Sequence, residues 1–106
     1  MIKLSISNIA WAAPDDDRMY AFLKDIGYAG LEIAPTRIFT DAPYDRLPDA
    51  SAWAKQLHQQ YGLAVSSMQS ICFGRDEAVF GTQAERIALF GYIKQAIDFA
   101  AATGCG

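Results

Sequence analysis

The chain has 106 residues, 52% of them apolar and 20% charged, a balance that supports a folded core and excludes a disordered polypeptide. Twelve acidic against nine basic residues leave a net charge of −3 with no Lys/Arg cluster, which argues against nucleic acid or an anionic membrane as partner. This length allows at most one domain and falls well short of a complete eight-unit β/α barrel of ~250 residues.

The run Ile2 to Ile9 alternates and is rich in β-branched residues, which predicts a first strand. Pro14 and Asp15-Asp16-Asp17 open a helix, with carboxylates at the positive end of its dipole. Met19, Phe22, Leu23 and Ile26 recur at helical spacing and are expected to form its buried face, and Gly27 ends it. A second strand follows over Gly30 to Ala34. The stretch from Pro35 to Asp49 holds three prolines and reads as an irregular loop, long against the ~2–6 residues usual for such connections.

A second helix is expected from about Ser51 to Tyr61, with Trp53, Leu57 and Tyr61 on one face and Gly62 as its stop. Leu63 to Gln69 reads as the third strand. Thr82-Gln83-Ala84-Glu85 has the form of a capping box, and the third helix is expected to pack through Ile87, Phe90, Ile93, Ile97 and Ala101. The order predicts an α/β fold of three βα units with parallel strands. The third helical pattern closes at Thr103-Gly104 as the first two close at Gly27 and Gly62, each ahead of a β-type run. That repeat predicts a further strand, and with it a chain that is the opening part of a larger β/α protein.

In parallel β/α folds ligands sit beyond the carboxyl ends of the strands. Glu32 alternates with Leu31 and Ile33 and is therefore aimed away from the covering helices, either at a substrate or the groups supporting one, or into a buried ion pair or a solvated edge. Asn8 and Trp11 stand at the first exit, where the ring either walls a polyol pocket or plugs the end of the sheet. Ser66, Ser67, Gln69 and Ser70 make the third strand unusually polar, and the alternation favours neither register; Gln69, nearest the exit, is the candidate ligand contact. Tyr44, Asp45 and Arg46 either reach over the mouth or are solvated.

His58, the single histidine, reads as an exposed helix residue, and no triad, two-His motif or Gly-rich phosphate loop is present. Cys72 and Cys105 suit reduced thiols in a cytoplasmic protein, and the start of the chain lacks a signal-peptide layout. The apolar stretch Ile87 to Ala102 is interrupted by Lys94 and Asp98 and is not expected to span a membrane.

The phrases IGYAGLEIAPTRIF, YGLAVSSMQSICFG and AIDFAAATGCG together resemble the sugar phosphate isomerase/epimerase group of the xylose-isomerase-like TIM-barrel superfamily. The resemblance covers residues 1–106 as the first three of eight βα units, hence an incomplete, N-terminal part of a partial (β/α)8 barrel. It implies a metal-dependent isomerase or epimerase in the full-length parent, acting on a sugar or polyol. There a divalent ion (Mn, Mg, Co or Zn) and carboxylates move a proton through an enediolate. The family's Glu, Asp, His and Glu ligands come from later strands, so the resemblance implies no catalytic residue, no metal ligand and no cofactor for this chain alone. It implies that Trp11, Glu32 and Gln69 border the substrate pocket.

The same superfamily includes endonuclease IV, whose early-strand histidines have no counterpart here. An open doubly wound sheet would want a Gly-rich first turn, which Ile9 to Pro14 does not provide. The other expectation is a small β/α binding or interaction module that completes its sheet by oligomerisation. The first and third strands carry no protective proline or inward charge, and such open edges favour the opening part of a barrel over the module and predict self-association.

Overall fold

A computed structural model describes residues 2–105. Strand β1 (Ser5–Ser7), helix α1 (Asp16–Asp25), strand β2 (Gly30–Ile33), one-turn helix α2 (Pro35–Ile38), helix α3 (Leu47–Tyr61), strand β3 (Ala64–Met68) and helix α4 (Gln83–Thr103) follow in that order. Short 3-10 turns occupy Asn8–Ala10, Ala13–Asp15 and Pro43–Asp45. The fold is mixed α/β, and its three strands form one parallel sheet in the order β1-β2-β3.

The core lies between one face of that sheet and the helices. Leu31 and Ile33 of β2 are 0% exposed, and Val65 of β3 and Leu63 join them. Tyr20 and Leu23 from α1, Ala50 and Leu57 from α3, and Ala96 and Phe99 from α4 cover them. Fully burying side chains of this size contributes about 1.5–3 kcal/mol each, enough to make this layer the main source of stability.

β1 is shorter than the expected run from Ile2 to Ile9. The Ser7 hydroxyl accepts the Ile9 amide (3.3 Å) and caps the 3-10 turn that starts at Asn8, which ends the strand there. α1 keeps part of the expected face, with Leu23 buried and Met19 half-buried, but rotates it toward Tyr20. Tyr20 and Leu23 are buried, whereas Phe22 and Ile26 are about half exposed, at 51% and 50%.

The Pro35 to Asp49 stretch is more ordered than its prolines suggested. Pro35 and Pro43 each sit in the first turn of a short helical element, and Pro48 sits in the first turn of α3, where a missing amide leaves no bond unmade. α3 therefore begins at Leu47 rather than near Ser51. Its buried face uses Leu57 with Trp53 and Tyr61 alongside, as expected. Gly62, at φ 67°, ends it in the left-handed conformation that glycine adopts freely.

The capping box of α4 is formed: the Thr82 hydroxyl accepts the Glu85 amide at 3.1 Å. The packing stripe differs from the expectation. Ile87, Phe90 and Ile97 are 64%, 54% and 62% exposed, Ala101 is exposed and Ile93 is half-buried. The buried stripe is Leu89, Ala96, Phe99 and Thr103, with Tyr92 partly buried beside it. Aromatic contacts explain the choice. Phe99 meets Phe39 edge-on (6.2 Å) and Tyr44 (5.5 Å), and Tyr44 lies 4.9 Å from Tyr92. Such pairs add about 0.5–1.5 kcal/mol beyond burial.

The two stripes can be told apart by truncation. Phe99→Ala should lower the unfolding free energy by about 3–5 kcal/mol, the usual cost of a large core cavity. Ile97→Ala should stay within about 0.5 kcal/mol. Denaturant melts that reverse this order would show that α4 packs through the stripe read from the sequence.

Candidate ligand-binding face

The second face of the sheet carries no large apolar side chain. Ser5 and Ser7 from β1, Gly30 and Glu32 from β2, and Ser66 and Ser67 from β3 lie on it, with Gln69 just past the strand. In β2 the period of two does this directly: Leu31 and Ile33 turn toward the helices, so Gly30 and Glu32 turn away.

β3 reaches the same result through a bulge. Leu31 pairs with Val65 but Glu32 pairs with Ser67, leaving Ser66 as an extra residue. Both serines consequently stand on the polar face, which resolves the register that alternation left open.

Hydrogen bonds join these groups in two layers. Toward the amino ends, the Ser66 hydroxyl lies 2.6 Å from that of Ser5 and donates to the Leu31 carbonyl at 3.0 Å. Gly30 leaves room for the pair, since a Cβ there would meet Ser66 Cβ at 3.2 Å and Ser5 Oγ at 3.3 Å. Toward the carboxyl ends, the Ser67 hydroxyl donates to Glu32 Oε2 at 2.8 Å, and the Gln69 amide donates to the Ser7 hydroxyl. Glu32, Ser67 and Gln69 are half-buried, so their remaining lone pairs and donors stay reachable. A carboxylate offers about four acceptor positions and Ser67 occupies one. Two of the expected site residues, Glu32 and Gln69, are thus set in one layer by the outer strands.

Trp11 belongs to a neighbouring arrangement. Its indole N–H donates to Asp16 Oδ1 (2.8 Å), and its ring meets Tyr20 edge-on at 6.0 Å. The Arg37 guanidinium grips both oxygens of Asp16, at 2.7 and 3.1 Å, and also donates to the Trp11 carbonyl at 3.3 Å. This fork ties the start of α1 to α2, hence the connections that leave β1 and β2. Asn8 is fully buried one step away. Its Oδ1 accepts the Ala34 amide at 3.1 Å, while its Nδ2 has no partner among the described residues.

Tyr44 does not reach over the mouth. It is buried against Tyr92 and Phe99, its hydroxyl donates to the Ile71 carbonyl at 2.6 Å, and burial pushes its phenol well above the ordinary range. Arg46 stacks on Phe39 (4.9 Å) and pairs with Asp49 (3.0 Å), and Asp45 is exposed. His58 is exposed on α3, as expected.

Sequence reasoning passed over Ser5 and Ser7, although their alternation with Ile6 carried the signal. It also passed over Arg37, for which nothing local pointed to Asp16. Among the described residues no group of three or more His, Cys, Asp or Glu is placed to hold a metal ion, and no helix is long and apolar enough to cross a membrane.

No protein-family model, no curated protein and no solved structure matches the chain.

Two outcomes test this geometry. Gly30→Ala should part the Ser5–Ser66 pair and cost about 1–3 kcal/mol as overpacking, whereas Ser5→Ala should cost far less. Burial, then the Asp16 charge, raises the Tyr20 phenol to about 12 from 10.0. Its contribution to stability is therefore complete below pH 10 and is lost as pH rises through about 12. Tyr20→Phe should remove that alkaline loss in urea melts between these values; an unchanged profile would contradict the assignment.

Proposed function

We propose that this chain forms one wall of a sugar- or polyol-binding β/α barrel of the sugar phosphate isomerase/epimerase type. Its part is to bind and orient substrate rather than to transfer the proton. The observation that carries the reading is the polar layer of Ser7, Glu32, Ser67 and Gln69 at the carboxyl ends of three parallel strands. A parallel sheet is normally covered and apolar on both faces. Here one face holds a carboxylate, hydroxyls and a carboxamide already linked to one another, an arrangement suited to vicinal hydroxyl groups.

In this role Glu32 accepts hydrogen bonds from substrate hydroxyls. The Gln69 carboxamide offers a carbonyl acceptor and its second N–H donor, and Ser67 holds the carboxylate in place. The Arg37–Asp16 fork keeps the first two loops in register with that layer. In the parent enzymes a divalent ion polarises a carbonyl–hydroxyl pair. The described residues do not fit that ion by themselves, because Glu32 is the single acidic side chain among those we assign to this face. In this reading the ion and the proton-transfer carboxylates come from further strands of the barrel.

The open flanks support the same reading. β1 and β3 are both edge strands without a protecting proline, and Phe22 and Ile26 on α1 and Ile87, Phe90 and Ile97 on α4 expose apolar surface. The same flanks favour a second reading, a small β/α module that completes its sheet by pairing with another copy.

The purified chain should turn over no aldose or ketose with Mn, Mg, Co or Zn present, yet bind a neutral polyol weakly. Glu32→Gln should weaken that binding by roughly 10-fold or more, since hydrogen bonds to a charged group are worth about 1.5–3 kcal/mol. Calorimetry showing equal affinity for both forms would remove Glu32 from the site, and measurable epimerisation would refute the division of labour. Sedimentation should show concentration-dependent association that Phe90→Glu with Ile97→Glu reduces; a monomer at all concentrations would argue against open edges.

A further inference from the structure

Away from the polar face, a crevice of about 120 Å³ opens between α1 and α3. Buried Tyr20 and Leu57 line it together with the half-buried Trp53 and Tyr61. The Tyr20 and Tyr61 rings lie 5.6 Å apart at 60°, so they enclose a corner rather than stack flat. Asp17 lies at the rim, where its carboxylate accepts the Tyr61 hydroxyl at 3.2 Å and has no cationic partner among the described residues. No Lys, Arg or His lines the crevice. Lys24 donates to the Gln60 backbone carbonyl (3.4 Å) and is not part of the lining.

These features select a ligand class. Phosphate or carboxylate would meet Asp17 with nothing to offset it. A neutral apolar group would strip water from that carboxylate without return. A primary ammonium is strongly hydrated and gains little from an exposed carboxylate. A methylated ammonium spreads its charge over an apolar surface that aromatic faces attract, as in the aromatic cages that recognise choline and methyl-lysine. The volume is slightly below the ~150 Å³ that admits benzene, which suits a head group of that size.

We propose that the crevice between α1 and α3 binds a trimethylammonium group, with Tyr20, Trp53 and Tyr61 against its methyls and Asp17 against its charge. Cation–aromatic contacts at an exposed site are weak, so the affinity is on the order of tens of millimolar.

The test titrates the full chain with tetramethylammonium chloride, choline or an acetylated trimethyl-lysine, against sodium chloride at equal ionic strength. Tryptophan emission and amide shifts are the readouts. Saturable binding is expected, with shifts at Asp17, Tyr20, Trp53 and Tyr61. Dimethylbutanol, the uncharged isostere of choline, should bind several-fold more weakly, and Asp17→Asn should weaken the cations by about two- to fivefold, the range of an exposed charge pair. Preference between the choline and trimethyl-lysine arms tells whether the head group comes from a small molecule or a peptide; binding in either supports the site. Absence of saturation, isostere binding equal to choline, or an Asp17→Asn variant with unchanged affinity each overturns it. Gln56→Lys, which places a competing ammonium at the rim of a folded α3, should also block binding, and full affinity in that variant contradicts the site.

Discussion

The alternation of β2 is the constraint from which the rest follows. Leu31 and Ile33 are wholly buried against the helices, which leaves Gly30 and Glu32 no direction but the opposite one. The outer strands pair with β2 and inherit its two faces. Ser5 and Ser7 fall beside Gly30 and Glu32 in register, and the bulge at Ser66 lets β3 contribute two consecutive hydroxyls to the same side. One face is thereby an apolar layer that stabilises the fold, and the other is a hydrogen-bonded polar layer that stability alone does not require.

The features legible from sequence were those with a local cause. Glu32 between two apolar neighbours, the glycines that stop α3 and α4, and the Thr82–Glu85 box each depend on residues within one turn or one strand. The features that were not legible depend on distant partners. α4 is apolar on two sides, so only the aromatic cluster of Phe39, Tyr44 and Phe99 decides that Phe99 rather than Ile97 turns inward. α1 has the same ambiguity, settled when Tyr20 packs against Trp11 and Tyr61. The Ser66 bulge has no signature in a strand of alternating period, and Pro48 marked the first turn of α3 where it had suggested loop.

The candidate site divides the same way. Glu32 and Gln69 were visible as polar residues at strand exits, and the structure unites them in one layer through Ser67 and Ser7. Trp11 was visible too, but its indole N–H is committed to Asp16 within the Arg37 fork. That bond and the Arg37 contact to the Trp11 carbonyl join the first two loops. The apolar flanks along α1 and α4 add a further consequence. Phe22, Ile26, Phe90 and Ile97 stay exposed although the core closes without them, so apolar surface remains outside the packed layer.

Whether the polar layer is a ligand face is decided most directly by amide and side-chain shift mapping of the labelled chain against a panel of neutral sugars and polyols. The account requires perturbations centred on Ser7, Glu32, Ser67 and Gln69, with Leu31 and Ile33 following weakly through the shared backbone. Shifts that spare those four residues at every ligand tested, or that gather at another surface, would contradict it.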